Sequence, residues 1–151
     1  MSQISSYLAL GCVVLDAAYA NKKRAFEAIA QLFEDQHGLA RSAAYDALLN
    51  RERLGSTGLG EGVAIPHGRV KGLKKTLCAV LRLAAPIPFE APDGAPVQLM
   101  IALMVPENAN QTHLDLLGEL AEMLANERFR DTLFTAPDAP TLHELLSQWQ
   151  P

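Results

Sequence analysis

Cysteine is scarce in this chain. Cys12 and Cys78 are the only two among 151 residues. A pair so far apart in sequence builds no disulfide framework, and both are expected to be small buried hydrophobes. Cysteine and histidine are not spaced as zinc ligands, so no metal site is expected. Long apolar runs are missing too. Leu99 to Val105 falls far short of the roughly 20 residues that a membrane span needs. Tyr7 to Leu15 is uncharged and apolar, but no basic residue precedes it and Asp16 closes it. Lys22, Lys23 and Arg24 lie on the wrong side for a secretory signal, and Ala9-Leu10-Gly11-Cys12 is a poor lipoprotein cleavage site. The expectation is a cytoplasmic protein that is not membrane-embedded. Basic charge is in deficit, with 13 Lys and Arg against 17 Asp and Glu and a net charge of −4. That argues against general binding to nucleic acid or anionic membrane, and favours partners with basic patches. No Gly-Lys-Ser/Thr follows the glycines, and those at 58, 60 and 62 do not space as G-x-G-x-x-G. No serine sits in a G-x-S-x-G elbow, and no paired-carboxylate motif is present. A sugar kinase or a hydrolase therefore fits poorly, and no cofactor is expected. Repeats, low-complexity stretches and linkers are absent, which predicts one domain over residues 1–151.

What remains is an ordinary globular composition, 49% hydrophobic and 20% charged. A chain of this length buries roughly 70% of its unfolded surface without staples. A short strand is expected at Val13 to Leu15. Asn21 is placed to cap a helix whose apolar positions are Phe26, Ile29, Ala30 and Phe33, with Gly38 closing it. A second helix is expected from Ser42 to Glu52, with Tyr45, Leu48 and Leu49 on one face. Thr76 to Leu83 reads as strand. Ile87 to Phe89 and Val97 to Val105 flank a turn at Pro92 to Pro96. Val97 to Val105 is apolar on both faces, as a twice-covered central strand would be. Thr112, with Asp115 three residues on, is expected to cap a helix burying Leu117, Leu120, Ala121 and Leu124. A short helix follows over Arg128 to Phe134. Thr141 and Glu144 are spaced as a capping box for a last helix with Leu145, Leu146 and Trp149. This order predicts an α/β fold, a mixed sheet sandwiched between helices.

Five of the ten glycines fall between Gly55 and Gly68. Glycine is costly in chain entropy, and it is kept where positive φ or close backbone approach is required. Exposed N–H groups in such a loop can cradle an anion. Glu61, the one acid there, is expected to point away. His67 stands out. It follows the short apolar run Val63 to Ile65, and Pro66 biases Ile65 to an extended conformation. A neutral imidazole so placed can attack phosphorus and hold the phosphoryl group, if its other nitrogen donates to a fixed acceptor. A turn histidine without chemistry fits the same spacing. His113 lies in the first turn of a helix, where free N–H groups and the dipole favour a phosphoryl group. A partly exposed first-turn residue is the alternative. His37, before a helix-ending glycine, and His143, inside the last capping box, need no chemical role. Arg51 and Arg53 can neutralise phosphoryl charge. Ser56 and Thr57 can donate hydroxyls to an anion or shape the turn.

The stretch from Gly55 to Gly68, Gly-Ser-Thr-Gly-Leu-Gly-Glu-Gly-Val-Ala-Ile-Pro-His-Gly, resembles the IIA proteins of the bacterial phosphoenolpyruvate-dependent phosphotransferase system. The resemblance is to the mannitol/fructose type, and within it to the nitrogen-regulatory branch. It extends through Asn21 to Ala25, Leu103 to Pro106 and Thr112 to Leu114. It implies that His67 accepts the phosphoryl group, His113 is the second active-site histidine and Arg51 is the supporting arginine, with Arg53 an alternative to Arg51; the hydroxyls of Ser56 and Thr57 are the further candidates to support the phosphoryl group. It implies a small HPr/NPr-type phosphocarrier as donor, and regulatory targets such as potassium-transport or sensor-kinase proteins. A regulatory module would use phosphorylation to change the charge on an apolar patch, for which Leu59, Val63 and Ile65 are candidates; in a helix-covered sheet they fit the core equally well. The alternative within the resemblance is a sugar-specific IIA component passing phosphate to a IIB domain. Such components are often fused to IIB or IIC domains, and this chain ends at Pro151 with neither.

Overall fold

Strand β6, Val97–Pro106, organises the molecule, a computed structural model covering Met1 to Pro151. Successive strand residues face opposite sides of a sheet. From Leu99 to Val105 every residue is fully buried, so both faces of the sheet are covered. β5, Leu77–Ile87, pairs antiparallel with β6 on one side, and β1, Leu8–Ala17, pairs parallel with β5. On the other side of β6 lie β3, Val63–Ala64, and β4, His67–Val70, both parallel to it. β2, Gly58–Gly60, pairs antiparallel with β3 and completes six strands.

β3 and β4 keep one register against β6. Val63 pairs with Leu99, Ala64 with Met100 and His67 with Leu103. They are one strand interrupted at Ile65-Pro66. Proline has no N–H for the ladder, so the interruption is a direct consequence of sequence. The Pro66 carbonyl still accepts from the Leu103 N–H at 2.9 Å, which holds the register across the gap.

The helices are α1, Lys22–His37; α2, Arg41–Leu54; α3, Gln111–Ala125; α4, Glu127–Thr135; and α5, Ala139–Gln148. None is long and apolar enough to cross a membrane. α1 behaves as its sequence predicts. The Asn21 side chain accepts from the Arg24 N–H, and Gly38 closes the helix at φ 70°. Ala25, Phe26, Ile29, Ala30 and Phe33 form its buried stripe. The core is one connected cluster of 39 buried residues, with Cys12 and Cys78 in it as free thiols.

Several boundaries and caps differ from the sequence reading. β1 runs ten residues, from Leu8 to Ala17, where a short strand at Val13 to Leu15 was expected. α2 starts at Arg41 without a side-chain cap from Ala40, and Glu34 of α1 accepts the Arg41 N–H instead. Asn110, not Thr112, caps α3, and Asp138, not Thr141, caps α5. In both helices the threonine N–H is the donor to the capping side chain. The buried face of α3 is His113, Leu116, Leu120, Met123 and Leu124; Ala121 is exposed and Leu117 half-buried. His143 is half-buried, and its Nε2 bonds the Leu8 carbonyl of β1 at 2.8 Å.

α2 crosses β4 at Gly68. A Cβ there would sit 2.6 Å from the Ala47 carbonyl oxygen and 2.7 Å from its carbon. Only glycine lets the helix come this close. The contact matters for the site, because the last turns of α2 carry Asn50 and Arg51 to the flank of His67.

Candidate active site

His67 is the first residue of β4, directly after the interruption. Its Nδ1 lies 2.8 Å from the Ile65 carbonyl oxygen. A carbonyl only accepts, so Nδ1 carries the hydrogen and Nε2 keeps its lone pair. The acceptor that a nucleophilic imidazole requires is thus supplied by the backbone, two residues upstream, where Pro66 bends the strand. Burial pushes the His67 pKa below its ordinary value, and the charges of Arg51 and Arg69 add to that effect. The Ile65 bond and the Glu52 carboxylate oppose them without reversing the direction. The net effect favours the neutral ring.

His113 stands opposite, with ring centroids 5.9 Å apart and planes inclined at 55°. It lies in the first turn of α3 and is 7% exposed. Its Nδ1 is buried without a hydrogen-bond partner. An orphaned buried polar atom costs about 1–3 kcal/mol, and such atoms concentrate where a ligand or reaction supplies the partner. Burial also lowers the His113 pKa, with His67 and Arg69 contributing. The two rings line a hollow of about 480 Å³ together with Asn50, Arg51, Arg69 and Leu114. Leu54 and Leu114, 85% and 57% exposed, stand at its rim.

The structure brings His67, His113 and Arg51 into one hollow. Arg51 also bonds the Gly55 carbonyl at 2.8 Å. Arg53 is exposed, bonds Asn50 and does not line the hollow, whereas Arg51 does. Ser56 and Thr57 are elsewhere. The Ser56 hydroxyl donates to the Phe89 carbonyl, and the Thr57 hydroxyl donates to Glu52 at 2.6 Å. The glycine-rich stretch is no anion cradle, because Thr57, Gly58 and Glu61 already spend their N–H groups on Glu52, Ser56 and Asp93. Its glycines instead shape the β2–β3 hairpin, where Gly60, Glu61 and Gly62 all have positive φ. The Glu61 side chain is solvent-exposed, nearest to Arg130 at 3.9 Å. Val63 and Ile65 are core residues and Leu59 alone of the three is exposed, so they form no surface patch. His37 faces the Cys12 sulfur at 3.6 Å, away from the hollow.

Three charged residues escaped the sequence reading. Glu52 is an interior carboxylate, paired with Lys22 at 3.0 Å and bonded to both the N–H and hydroxyl of Thr57. Lys22 also stands 4.3 Å above the Phe89 ring. Neither had a local signal, since they lie in different helices. Arg69 had one. It sits two residues beyond His67 on the same strand, so strand periodicity places both side chains on one face.

The state of His67 gives a direct test. A protonated imidazole has no lone pair at Nε2. With its pKa depressed, His67 is expected to titrate below the ordinary 6.5 in an NMR pH titration of the imidazoles. Reactivity then falls with pH only as that depressed midpoint is approached, at lower pH than for an unperturbed imidazole. A midpoint above the ordinary value would contradict the burial argument.

Residues 6–149 match the family described as Phosphoenolpyruvate-dependent sugar phosphotransferase system, EIIA 2. The nitrogen regulatory protein of Pseudomonas aeruginosa is 40% identical over 147 residues, which is 97% of this chain and 96% of that one. The crystal structure of nitrogen regulatory protein IIA-Ntr from Neisseria meningitidis superposes with a TM-score of 0.91 at 43% identity, covering 96% of this chain and 99% of that one. Enzyme IIA mannitol of Escherichia coli, solved in complex with phosphorylated enzyme IIB mannitol, shares the fold at a TM-score of 0.79 and 22% identity, over 94% of this chain and 98% of that one. The chain belongs to the EIIA type 2 family of the phosphoenolpyruvate-dependent phosphotransferase system, a family of phosphoryl-transfer proteins, and its full-length similarity is to the nitrogen regulatory proteins within it.

Proposed function

We propose that this protein is a cytoplasmic, single-domain regulatory phosphoryl carrier, and that Nε2 of His67 accepts the phosphoryl group from the phosphohistidine of an HPr/NPr-type carrier. One observation carries the reading: the Ile65 carbonyl fixes the hydrogen on Nδ1 and leaves Nε2 bare at the hollow shared with His113 and Arg51. In the transfer the phosphorus–nitrogen bond of the carrier breaks as the bond from phosphorus to Nε2 forms. The electron pair of the broken bond stays on the carrier's imidazole. Nδ1–H stays on Ile65 throughout. Catalysis here is positioning plus donors for the phosphoryl oxygens. His113 and Arg51 are those donors. The orphaned Nδ1 of His113 fits a site whose polar partner arrives with the reaction.

Similarity over the full length to nitrogen regulatory proteins supports signalling, in which the charged and uncharged forms bind different regulatory proteins. A phosphoryl group beside the exposed Leu54 and Leu114 replaces an apolar rim by a dianionic one, which changes partner choice. Incubation with phosphoenolpyruvate, enzyme I and an NPr-type carrier is expected to add one acid-labile phosphoryl group by intact mass. The phosphohistidine is expected at Nε2 by NMR. No uptake from a demonstrably charged carrier would refute the proposal.

His113→Ala is expected to slow uptake about 100-fold, the usual cost of one lost oxyanion donor, while the final stoichiometry stays at one group. His113→Asn keeps a donor and is expected to recover part of the rate. Rapid-quench measurement decides, and a wild-type rate in His113→Ala would remove His113 from the reaction.

A further inference from the structure

Arg69 makes two hydrogen bonds, both from one guanidinium nitrogen. They run to the carbonyls of Glu107 at 2.9 Å and Ala109 at 3.0 Å. These carbonyls lie in the connector between β6 and α3, immediately before the helix that carries His113. The remaining hydrogen bonds of the connector are local. Ala109 N–H donates to Pro106, and the His113 and Leu114 N–H groups donate to Asn110. Arg69 is the one side chain of the sheet that hydrogen-bonds the connector. It sits on β4 in register with Val105, two residues from His67 and on the same face, and it lines the hollow of the two histidines.

We infer that Arg69 is a positioning residue for phosphoryl transfer, clamping the β6–α3 connector so that His113 is held against His67. The inference rests on the acceptor reading of His67 and adds to it a residue that resemblance did not supply. The geometry needs an arginine. Strand β4 fixes where the side chain starts, and the guanidinium is long enough to cross to the connector carbonyls. Its planar fork presents donors in a fixed geometry, which suits two neighbouring carbonyls. A lysine carries the charge but spreads its donors around a flexible point, and holds two carbonyls less well. The role of an exposed arginine that merely covers carbonyls differs in one respect: it would leave the reaction untouched when removed. Misplacing a catalytic group by an ångström is enough to cost about 100-fold, so a loosened connector has a kinetic consequence.

The test compares wild type, Arg69→Met and Arg69→Lys. Phosphoryl uptake from phosphoenolpyruvate, enzyme I and an NPr-type carrier is followed by rapid quench, and backbone amide exchange is measured on the same proteins without donor. Arg69→Met is expected to take up phosphate about 10- to 100-fold more slowly and to reach the same endpoint of one group. Its exchange is expected to rise at Ala109, His113 and Leu114 and to stay unchanged along β6. Arg69→Lys is expected to fall between Arg69→Met and wild type in both readouts. Wild-type uptake by Arg69→Met overturns the inference. Slow uptake with unchanged exchange in the connector also overturns it, since Arg69 would then act as a charge on donor or phosphoryl group. Both outcomes leave the acceptor reading of His67 standing. Failure of wild type to charge at all removes that reading and this one with it.

Discussion

His67→Ala will take up no phosphoryl group under conditions that charge the wild type completely. The expected effect is total, because the variant lacks the one backbone-oriented imidazole that lines the hollow. His113 is a poorer acceptor, since it is nine-tenths buried and its Nδ1 has no partner to set a tautomer. The variant should nonetheless fold. The His67 side chain makes one hydrogen bond, to Ile65 two residues away, and is only half-buried. Losing that bond costs about 1 kcal/mol. In a chain of this size that lowers the melting temperature by roughly 2–4 °C. Intact mass and a thermal melt on one preparation separate the two effects. An acid-labile group on a folded His67→Ala would place the acceptor elsewhere, with His113 the first candidate. A collapsed melting temperature would show instead that the Ile65 bond holds the β3–β4 bend together.

Much of this site was legible in the chain because its parts are local. The bend at Pro66, the imidazole after it and the glycine after that occupy consecutive positions, and each has a backbone reason. Pro66 breaks the ladder, His67 turns back to Ile65, and Gly68 admits α2. β6 was legible because a strand covered on both faces is apolar at every position. What the chain conceals is any pairing between distant segments. The single register of β3 and β4 along β6 depends on pairing with residues 36 positions away, such as His67 with Leu103. The caps failed for a simpler reason. Asn110 and Thr112, like Asp138 and Thr141, are both good capping residue types, and spacing to the next acid chose the wrong one of each pair. The stripe of α3 was misread because leucines at 116 and 117 are equally apolar, and the choice between them is made by where His113 must point. Ser56 and Thr57 were assigned to the phosphoryl group because hydroxyls beside glycines suit an anion. They were claimed instead by Phe89 and Glu52, neither of which is close in sequence to suggest it.

Glu52→Ala is expected to be strongly destabilising while leaving the hollow's own side chains intact. The carboxylate is 5% exposed and has four polar contacts, one with Lys22 and three with Thr57. Removing it strands the Thr57 N–H and hydroxyl, in a residue only 6% exposed, and leaves Lys22 without its anion. Breaking a buried ion pair from one side costs about 3–5 kcal/mol. Lys22 is 20% exposed and can turn its ammonium outward, so the lower end, about 3 kcal/mol, applies. At roughly 2–4 °C per kcal/mol the melting temperature falls by about 6–12 °C. Glu52→Gln keeps an acceptor for Thr57 and loses only the charge, so it should fall by less than half as much. Lys22→Met added to Glu52→Ala removes the stranded cation and should recover part of the loss, a coupling that a double-mutant cycle reads directly. The functional consequence follows from chain connectivity. Glu52 ties the segment after α2 to the helix end, and Arg51 precedes it. Freed of that tie, Gly55 to Thr57 no longer fixes the carbonyl that Arg51 bonds, and phosphoryl uptake should slow even at temperatures where the variant is folded. An unchanged melting temperature in Glu52→Ala would mean that the Lys22–Glu52–Thr57 cluster contributes nothing net. The glycine-rich stretch would then be held by its hairpin alone.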